Sequence, residues 1–267
     1  MQLPSSLNQK YQQVKKILLG YGRVAVAFSG GVDSSLVVKI GHDTLGDNLL
    51  ALFADSLLQP REERQGAVAT AQAIGVRLDI VHFTPLALPE FVANPTDRCY
   101  YCKKAIFSAF LDLASHRDIP CLVDGTNNDD LSQHRPGGRA LAELGVKSPL
   151  AEAGLTKEEI RRLSRALGLS TWDKPSASCL ATRIPANTLI SASALALVDQ
   201  AERYLHDLGY HGCRVRLKTG AATIELAAGD IARLGAEGDF KRVRAHLNSL
   251  GVEKVFLDLL ERESILS

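Results

Sequence analysis

Six residues, Ser29-Gly30-Gly31-Val32-Asp33-Ser34, directly follow the apolar run Val24-Ala25-Val26-Ala27-Phe28, and their types suit a polyphosphate. Two glycines after a buried strand let the backbone approach a ligand closely. The N–H groups that open the next helix, with its positive end, favour an anion. No Lys follows the last glycine, so the γ-phosphate grip of a Walker A loop is missing, and the GxGxxG spacing of a dinucleotide loop is absent too. A turn alone needs neither the two serines nor the acid. The cysteines form a second group. Cys99-Tyr100-Tyr101-Cys102 opens a predicted helix, whose dipole favours thiolates and with them redox or metal chemistry. Cys179 ends the Ser-rich, Pro-bounded stretch Lys174-Pro175-Ser176-Ala177-Ser178-Cys179, where a structural cysteine has little apolar packing to gain. Cys121 and Cys213 read instead as small core hydrophobes. If Cys99, Cys102 and Cys179 meet, zinc would want a fourth ligand, for which only His116 or His134 offers itself, without a recognisable spacing. A cubane cluster accepts three thiolates and leaves one iron open. An unrelated CxxC pair with a separate reactive cysteine is the plainer alternative.

The elements that must position these groups alternate between apolar, β-branched runs and helical periods, the pattern of a parallel sheet. Strands are expected at residues 24–28, 49–54, 77–83, 120–124 and 147–150. Helices are expected at 7–19, 35–43, 61–74, 99–116, 139–144 and 156–167, the last opened by a capping box of Thr156 and Glu159. Ligands of open α/β sheets sit beyond the carboxyl ends of the strands, so Asp55-Ser56 and Gly125-Thr126-Asn127 should face the same crevice as the glycine loop, within reach of an adenosine. The same residues also suit plain polar turns. After Arg183-Ile184-Pro185 the pattern changes to a helix over 192–208, strands at 214–219 and 222–227 joined at Gly220, another helical stretch, and a strand at 254–257. The expectation is therefore an α/β domain over residues 1–185, a parallel sheet flanked by helices, followed by a small α+β domain over 186–267.

At 267 residues, one large and one small domain is the natural arrangement. A 46% hydrophobic and 23% charged composition is that of an ordinary soluble globular protein. No apolar run reaches membrane-spanning length and the polar start lacks a signal-peptide core, so the reading is cytoplasmic, with no membrane partner. A formal net charge of +1 speaks against a large nucleic-acid surface. Five cysteines in a chain of this length do not suggest a secreted disulfide framework.

The SGGxDS loop after a strand resembles that of the PP-loop ATP pyrophosphatases, with their adenine nucleotide alpha hydrolase-like fold, which adenylate an oxygen and release pyrophosphate. The loop, Arg98-Cys99-Tyr100-Tyr101-Cys102-Lys103, Gly125-Thr126-Asn127-Asn128-Asp129-Asp130, Arg135-Pro136-Gly137, Ser148-Pro149-Leu150 and the stretch from Lys174 to Pro185 occur in the order seen in the LarE family. Those are ATP-dependent sulfur transferases that build the nickel-pincer nucleotide of lactate racemase. The resemblance implies a two-stage reaction on a pyridinium dicarboxylate mononucleotide, in which adenylation of a carboxylate, with Mg²⁺ beside the phosphates, is followed by sulfur transfer to a thiocarboxylate. It implies Ser29, Gly30, Gly31, Asp33, Ser34, Asp55, Gly125 and Thr126 as the nucleotide site, with Asp33 and Cys179 catalytic. Arg183, Arg214, Arg216 and Glu202 would form the substrate's anion site. Members with an extra CxxC pair look like users of a [4Fe–4S] cluster, here on Cys99, Cys102 and Cys179, reloaded by sulfide or another sulfur donor. Members with a single cysteine sacrifice its sulfur. The family's habit suggests a homo-oligomer. Ala186-Asn187 replaces the more usual Tyr-Gly after Pro185. A PP-loop tRNA thiolase shares the loop and three cysteines but would need an RNA surface. A glutamine-dependent amidotransferase would need a glutaminase domain, and a nucleotide-binding regulator would need neither.

Overall fold

A computed structural model describes residues 3–132, 136–175 and 178–260; His134, Arg135, Ser176 and Ala177, singled out above, lie outside the described residues. The chain divides into two compact units, Met1–Ser56, Arg61–Thr84 and Asp97–Lys174 in the first, Leu57–Pro60, Pro85–Thr96 and Pro175–Ser267 in the second. This differs from a single cut after residue 185, because the second unit starts at Pro175 and takes in two short earlier segments.

In the first unit, β1 (Val24–Ala27), β2 (Leu49–Asp55), β3 (Leu78–His82) and β4 (Cys121–Val123) form a wholly parallel sheet in the order β3-β2-β1-β4. Alternate residues enter two separate apolar clusters. Val24, Val26, Ala51, Phe53 and Val123 pack in one, and Ala25, Leu50, Leu52, Ala54 and Leu122 in the other. A sheet covered on both faces explains why its strands read as continuous apolar runs. Helices Ser5–Tyr21, Val32–Leu45, Arg61–Ile74 and Lys157–Ala166 supply the first cluster, and Arg98–His116 supplies Phe107, Phe110 and Ala114 to the second. The chain runs outward from β1 through β2 to β3, then returns to pair β4 on the other side of β1. The loops leaving β1 and β4 therefore flank the point where the strand order reverses, the place where ligands of such sheets bind.

The strand expected at 147–150 is not formed. Lys147 makes a single parallel bridge to Val123, and Pro149 then opens the short helix Pro149–Glu152. Proline has no N–H to give a ladder but suits the first helical turn, so the chain coils here instead of extending the sheet. The Thr156 capping box is present, with Glu159 N–H donating to Thr156 Oγ1 at 3.3 Å and Thr156 N–H to Glu159 Oε2 at 3.0 Å. Elsewhere element ends shift by a few residues, as with Val32–Leu45 for 35–43.

The second unit builds a sheet of β5 (Arg214–Lys218), β6 (Ala221–Glu225) and β7 (Lys254–Leu257), with β5 and β6 antiparallel and β6 and β7 parallel. Helices Ala192–Asp207, Asp230–Ala236 and Phe240–Ser249 accompany it, and Leu205, Tyr210, Val215, Ile224 and Leu247 form its core. The Tyr210 hydroxyl is pushed up to about 12 by burial, a hydrogen bond to Asp239 at 3.0 Å and nearby carboxylates. Asn94, fully buried, fastens the residues after Arg183: its Nδ2 donates to Pro185 O at 2.7 Å and Thr188 O at 3.0 Å, and its backbone carbonyl accepts from the Asn187 N–H at 2.8 Å. Asn187 has φ 63, a left-handed conformation that favours glycine and that Asn tolerates, which accounts for the departure at this position. Among the described residues, no helix is long and apolar enough to cross a membrane.

Candidate functional site

The glycine loop is shaped by its own serines. Ser29 N–H donates to Ser34 Oγ at 3.2 Å, the two hydroxyl oxygens lie 3.1 Å apart, and Ser34 Oγ donates to Gly31 O at 3.2 Å. Ser35 N–H makes an early helical bond, to Gly31 O at 3.0 Å. The N–H groups of Val32, Asp33 and Ser34 thus belong to the helix's opening turn, whose donors have no intrahelical acceptor and suit an anion. Gly30 has φ +73, and a Cβ there would stand 2.7 Å from Ala67 Cβ, so only glycine lets the loop lie on the Arg61–Ile74 helix. A Cβ on Gly125 would stand 2.8 Å from Ser34 N. The loops after β1 and β4 therefore touch backbone to backbone at the strand-order reversal.

Charges surround this contact. Asp33 Oδ2 lies 2.5 Å from Lys157 Nζ, and Asp33 Oδ1 accepts from Asn127 Nδ2 at 3.4 Å. Asn127, 3% exposed, caps the following turn, and Asp129 of that turn accepts the backbone N–H of Lys157 at 2.7 Å. Lys174 reaches the loop as well, donating to Gly30 O at 3.1 Å and Glu63 Oε2 at 2.8 Å. Two lysines from distant positions thus flank a loop that has none of its own. Neither Lys157 nor Glu63 carries a local signal in the sequence, since their partners lie 124 and 111 residues away. Thr126 hydrogen-bonds Asp124 through its hydroxyl and, at 3.1 Å, its N–H, and Ser148 Oγ donates to the same carboxylate at 2.7 Å. Asp55, at the end of β2, pairs with Arg64 and with His82, both at 3.2 Å.

Cys99 is exposed and Cys102 half-buried, one turn apart on the Arg98–His116 helix, and none of the five cysteines is in a disulfide. Taking each unit by itself, the described residues hold no cluster of three His, Cys, Asp or Glu side chains fit for a metal ion. His116 lies fourteen residues beyond Cys102 in the same helix, about 21 Å away at the helical rise, which removes it as a ligand of that pair. Burial pushes the Cys121 thiol up, and Cys213 is buried in the second core.

In the second unit, Cys179 precedes a short turn, Leu180–Arg183. Arg183 and Glu202 are both buried and paired at 2.8 Å. Arg214 and Arg216 alternate on β5 and so share a face. Arg216 forks onto Glu225 and donates to Thr182 O at 3.0 Å.

The sequence profile of the NAD synthase family matches residues 7–93. The chain is 38% identical over 253 residues to an uncharacterized protein of Synechocystis, covering 95% of this chain and 94% of that one. It is 37% identical over 242 residues to pyridinium-3,5-bisthiocarboxylic acid mononucleotide synthase of Lactiplantibacillus plantarum, covering 89% and 86%. A shorter likeness, 31% over 161 residues, spans 55% of this chain and 50% of a glutamine-hydrolyzing GMP synthase component of Methanococcus maripaludis.

Proposed function

The chain belongs to the LarE family, that of the pyridinium-3,5-bisthiocarboxylic acid mononucleotide synthases, and from that premise we propose that it is an ATP-dependent sulfur transferase acting on a pyridinium dicarboxylate mononucleotide. The observation that carries the reading is the glycine loop at the strand-order reversal, with opening-turn N–H groups, Asp33 and two flanking lysines converging on it. A substrate carboxylate oxygen attacks the α-phosphorus, and the bond to the β,γ-phosphates breaks to release pyrophosphate. Sulfur then attacks the acyl carbon, and AMP departs with the original carboxylate oxygen. Activation is needed because a carboxylate resists nucleophiles. Asp33 with the phosphates would take Mg²⁺, a hard cation that keeps to carboxylate and phosphate oxygens.

The donor set supports a cluster as the source of sulfur. Cys99 and Cys102 offer two thiols from one helical turn, which suits one edge of a [4Fe–4S] cluster, and Cys179 would be the third ligand. Such a cluster, when bound, supplies an open iron able to carry sulfide. The proposal is tested anaerobically with ATP, Mg²⁺, the mononucleotide and sulfide, following pyrophosphate and thiocarboxylate. Pyrophosphate release that depends on the mononucleotide, with thiocarboxylate formed in step, is expected. Release driven by tRNA, or none, refutes the reading. Loss of iron binding and of repeated turnover in Cys99→Ala/Cys102→Ala is expected; wild type and variant alike limited to one sulfur transferred per chain would instead indicate Cys179 as sacrificial donor.

A further inference from the structure

One guanidinium organises the segment that bears Cys179. Arg183 is 6% exposed. Its Nε donates to Glu202 Oε1 at 2.8 Å and its Nη2 to Oε2 at 2.9 Å, a two-point fork of the kind Lys cannot make. Its Nη1 points into four oxygens: Ser178 Oγ at 2.6 Å, Ser178 O and Thr182 Oγ1 at 2.9 Å, and Cys179 O at 3.3 Å. Thr182 closes the turn by donating its hydroxyl and its N–H to Cys179 O, at 2.8 and 2.9 Å. Glu202 is itself fixed, because its Oε1 also accepts the N–H of Val215 in β5 at 2.9 Å. A continuous set of hydrogen bonds therefore runs from the second sheet through Glu202 and Arg183 to the carbonyl of Cys179. A buried pair of this kind costs desolvation, so its placement against one turn calls for a local purpose.

We propose that Arg183 is a positioning residue for Cys179: with Glu202 it fixes residues 178–182 so that the thiol is presented in one orientation, and it does not bind the substrate's phosphate or carboxylates. The proposal rests on the sulfur-transfer reading for its consequence, and on the hydrogen-bond geometry for its substance. Four of the five guanidinium N–H groups are engaged within the protein, which leaves little for an incoming anion.

The test uses full-length Arg183→Lys and Glu202→Gln, each checked by thermal melting. Three readouts are taken: the first-turnover burst of mononucleotide-dependent pyrophosphate release, with its apparent KM and rate, thiocarboxylate formation, and the iodoacetamide alkylation rate of Cys179 relative to Cys99 by peptide mass spectrometry. In Arg183→Lys, the apparent KM and rate of the first-turnover burst of pyrophosphate stay within about twofold, whereas thiocarboxylate formation falls about 30-fold, short of the roughly 100-fold that a 1 Å misplacement can cost. The Cys179 alkylation rate changes while that of Cys99 does not. A tenfold or larger rise in KM would mean that Arg183 contacts substrate, and unchanged values of all three would make the pair merely structural; either overturns the proposal. If Arg183→Lys fails to fold, Glu202→Gln decides by the same readouts, since Gln keeps an acceptor for Val215 but not the charge-matched fork. If the wild-type protein forms no thiocarboxylate, the sulfur-transfer reading fails, and the alkylation ratio alone decides whether Arg183 positions the thiol.

Discussion

Replacing Gly30 by Ala adds one methyl group at the tightest point of the loop. Two costs arise separately. At φ +73 an L-residue meets its own carbonyl, which costs about 1–2 kcal/mol. The new Cβ would also stand 2.7 Å from Ala67 Cβ and 2.8 Å from Ala67 Cα, atoms of a packed helix that have no rotamer with which to yield. Overpacking of this sort costs about 1–3 kcal/mol. The sum, about 2–5 kcal/mol, corresponds to a fall in melting temperature of about 4–20 °C for a chain near this size. Relief by lifting the loop from the helix would break the Lys174 contact to Gly30 O, so ATP affinity falls with stability. Gly31→Ala is the matched control. Its backbone is extended, with φ −83, and its Cβ would meet only Ser29 Oγ at 3.4 Å, so stability should change by less than about 0.5 kcal/mol. Urea midpoints followed by circular dichroism, beside calorimetric titration with ATP, read both variants. Equal midpoints for the two would refute the reasoning.

Two further outcomes are expected. Lys157→Met, which removes the charge 2.5 Å from Asp33, should weaken ATP binding in the presence of Mg²⁺ by about 10- to 100-fold, the worth of a charged hydrogen bond, and Lys157→Arg should restore most of it; an affinity within twofold of wild type would show that Lys157 only balances Asp33. Burial opposes ionisation of Glu159, but the hydrogen bond from Lys10, the Thr156 N–H and the Lys10 charge together hold its carboxyl below its ordinary value. A lowered folded-state pKa gives stability that is present above the unfolded carboxylate pKa and is lost as pH falls through the folded one. Wild type should therefore exceed Glu159→Gln in unfolding free energy measured with urea at neutral pH, by up to about 1 kcal/mol, with the gap closing below about pH 4; a gap that persists there contradicts the assignment.

Local patterns in the sequence reveal what is locally determined. The run into Ser29 marks β1 because both its faces are buried, and Thr156 with Glu159 marks a helix start because the capping bonds span only three residues. The Lys147 segment misleads because its parallel pairing with Val123 begins at Lys147 but goes no further, Pro149 denying the ladder an N–H. Long-range partners leave no trace. Lys157 meets Asp33 across 124 residues, and Lys174 meets Gly30 across 144, so neither pairing follows from spacing. Arg183 illustrates a subtler limit. Its type suggests an anion ligand on the surface, whereas only the fold reveals that Glu202 and the carbonyls around Cys179 surround it.

The second unit's dependence on two early segments has a consequence for biosynthesis and for engineering. Leu180 N–H is met by Leu58 O, Ile190 N–H by Val92 O, and Asn94 holds the backbone around Pro185. During translation, residues 57–60 and 85–96 emerge long before the strands and helices they join, so this unit matures only once most of the chain is made. A cassette cut from Pro175 onward would lack those acceptors, leaving several backbone donors to water. Exchange of this unit between relatives therefore calls for three coordinated grafts.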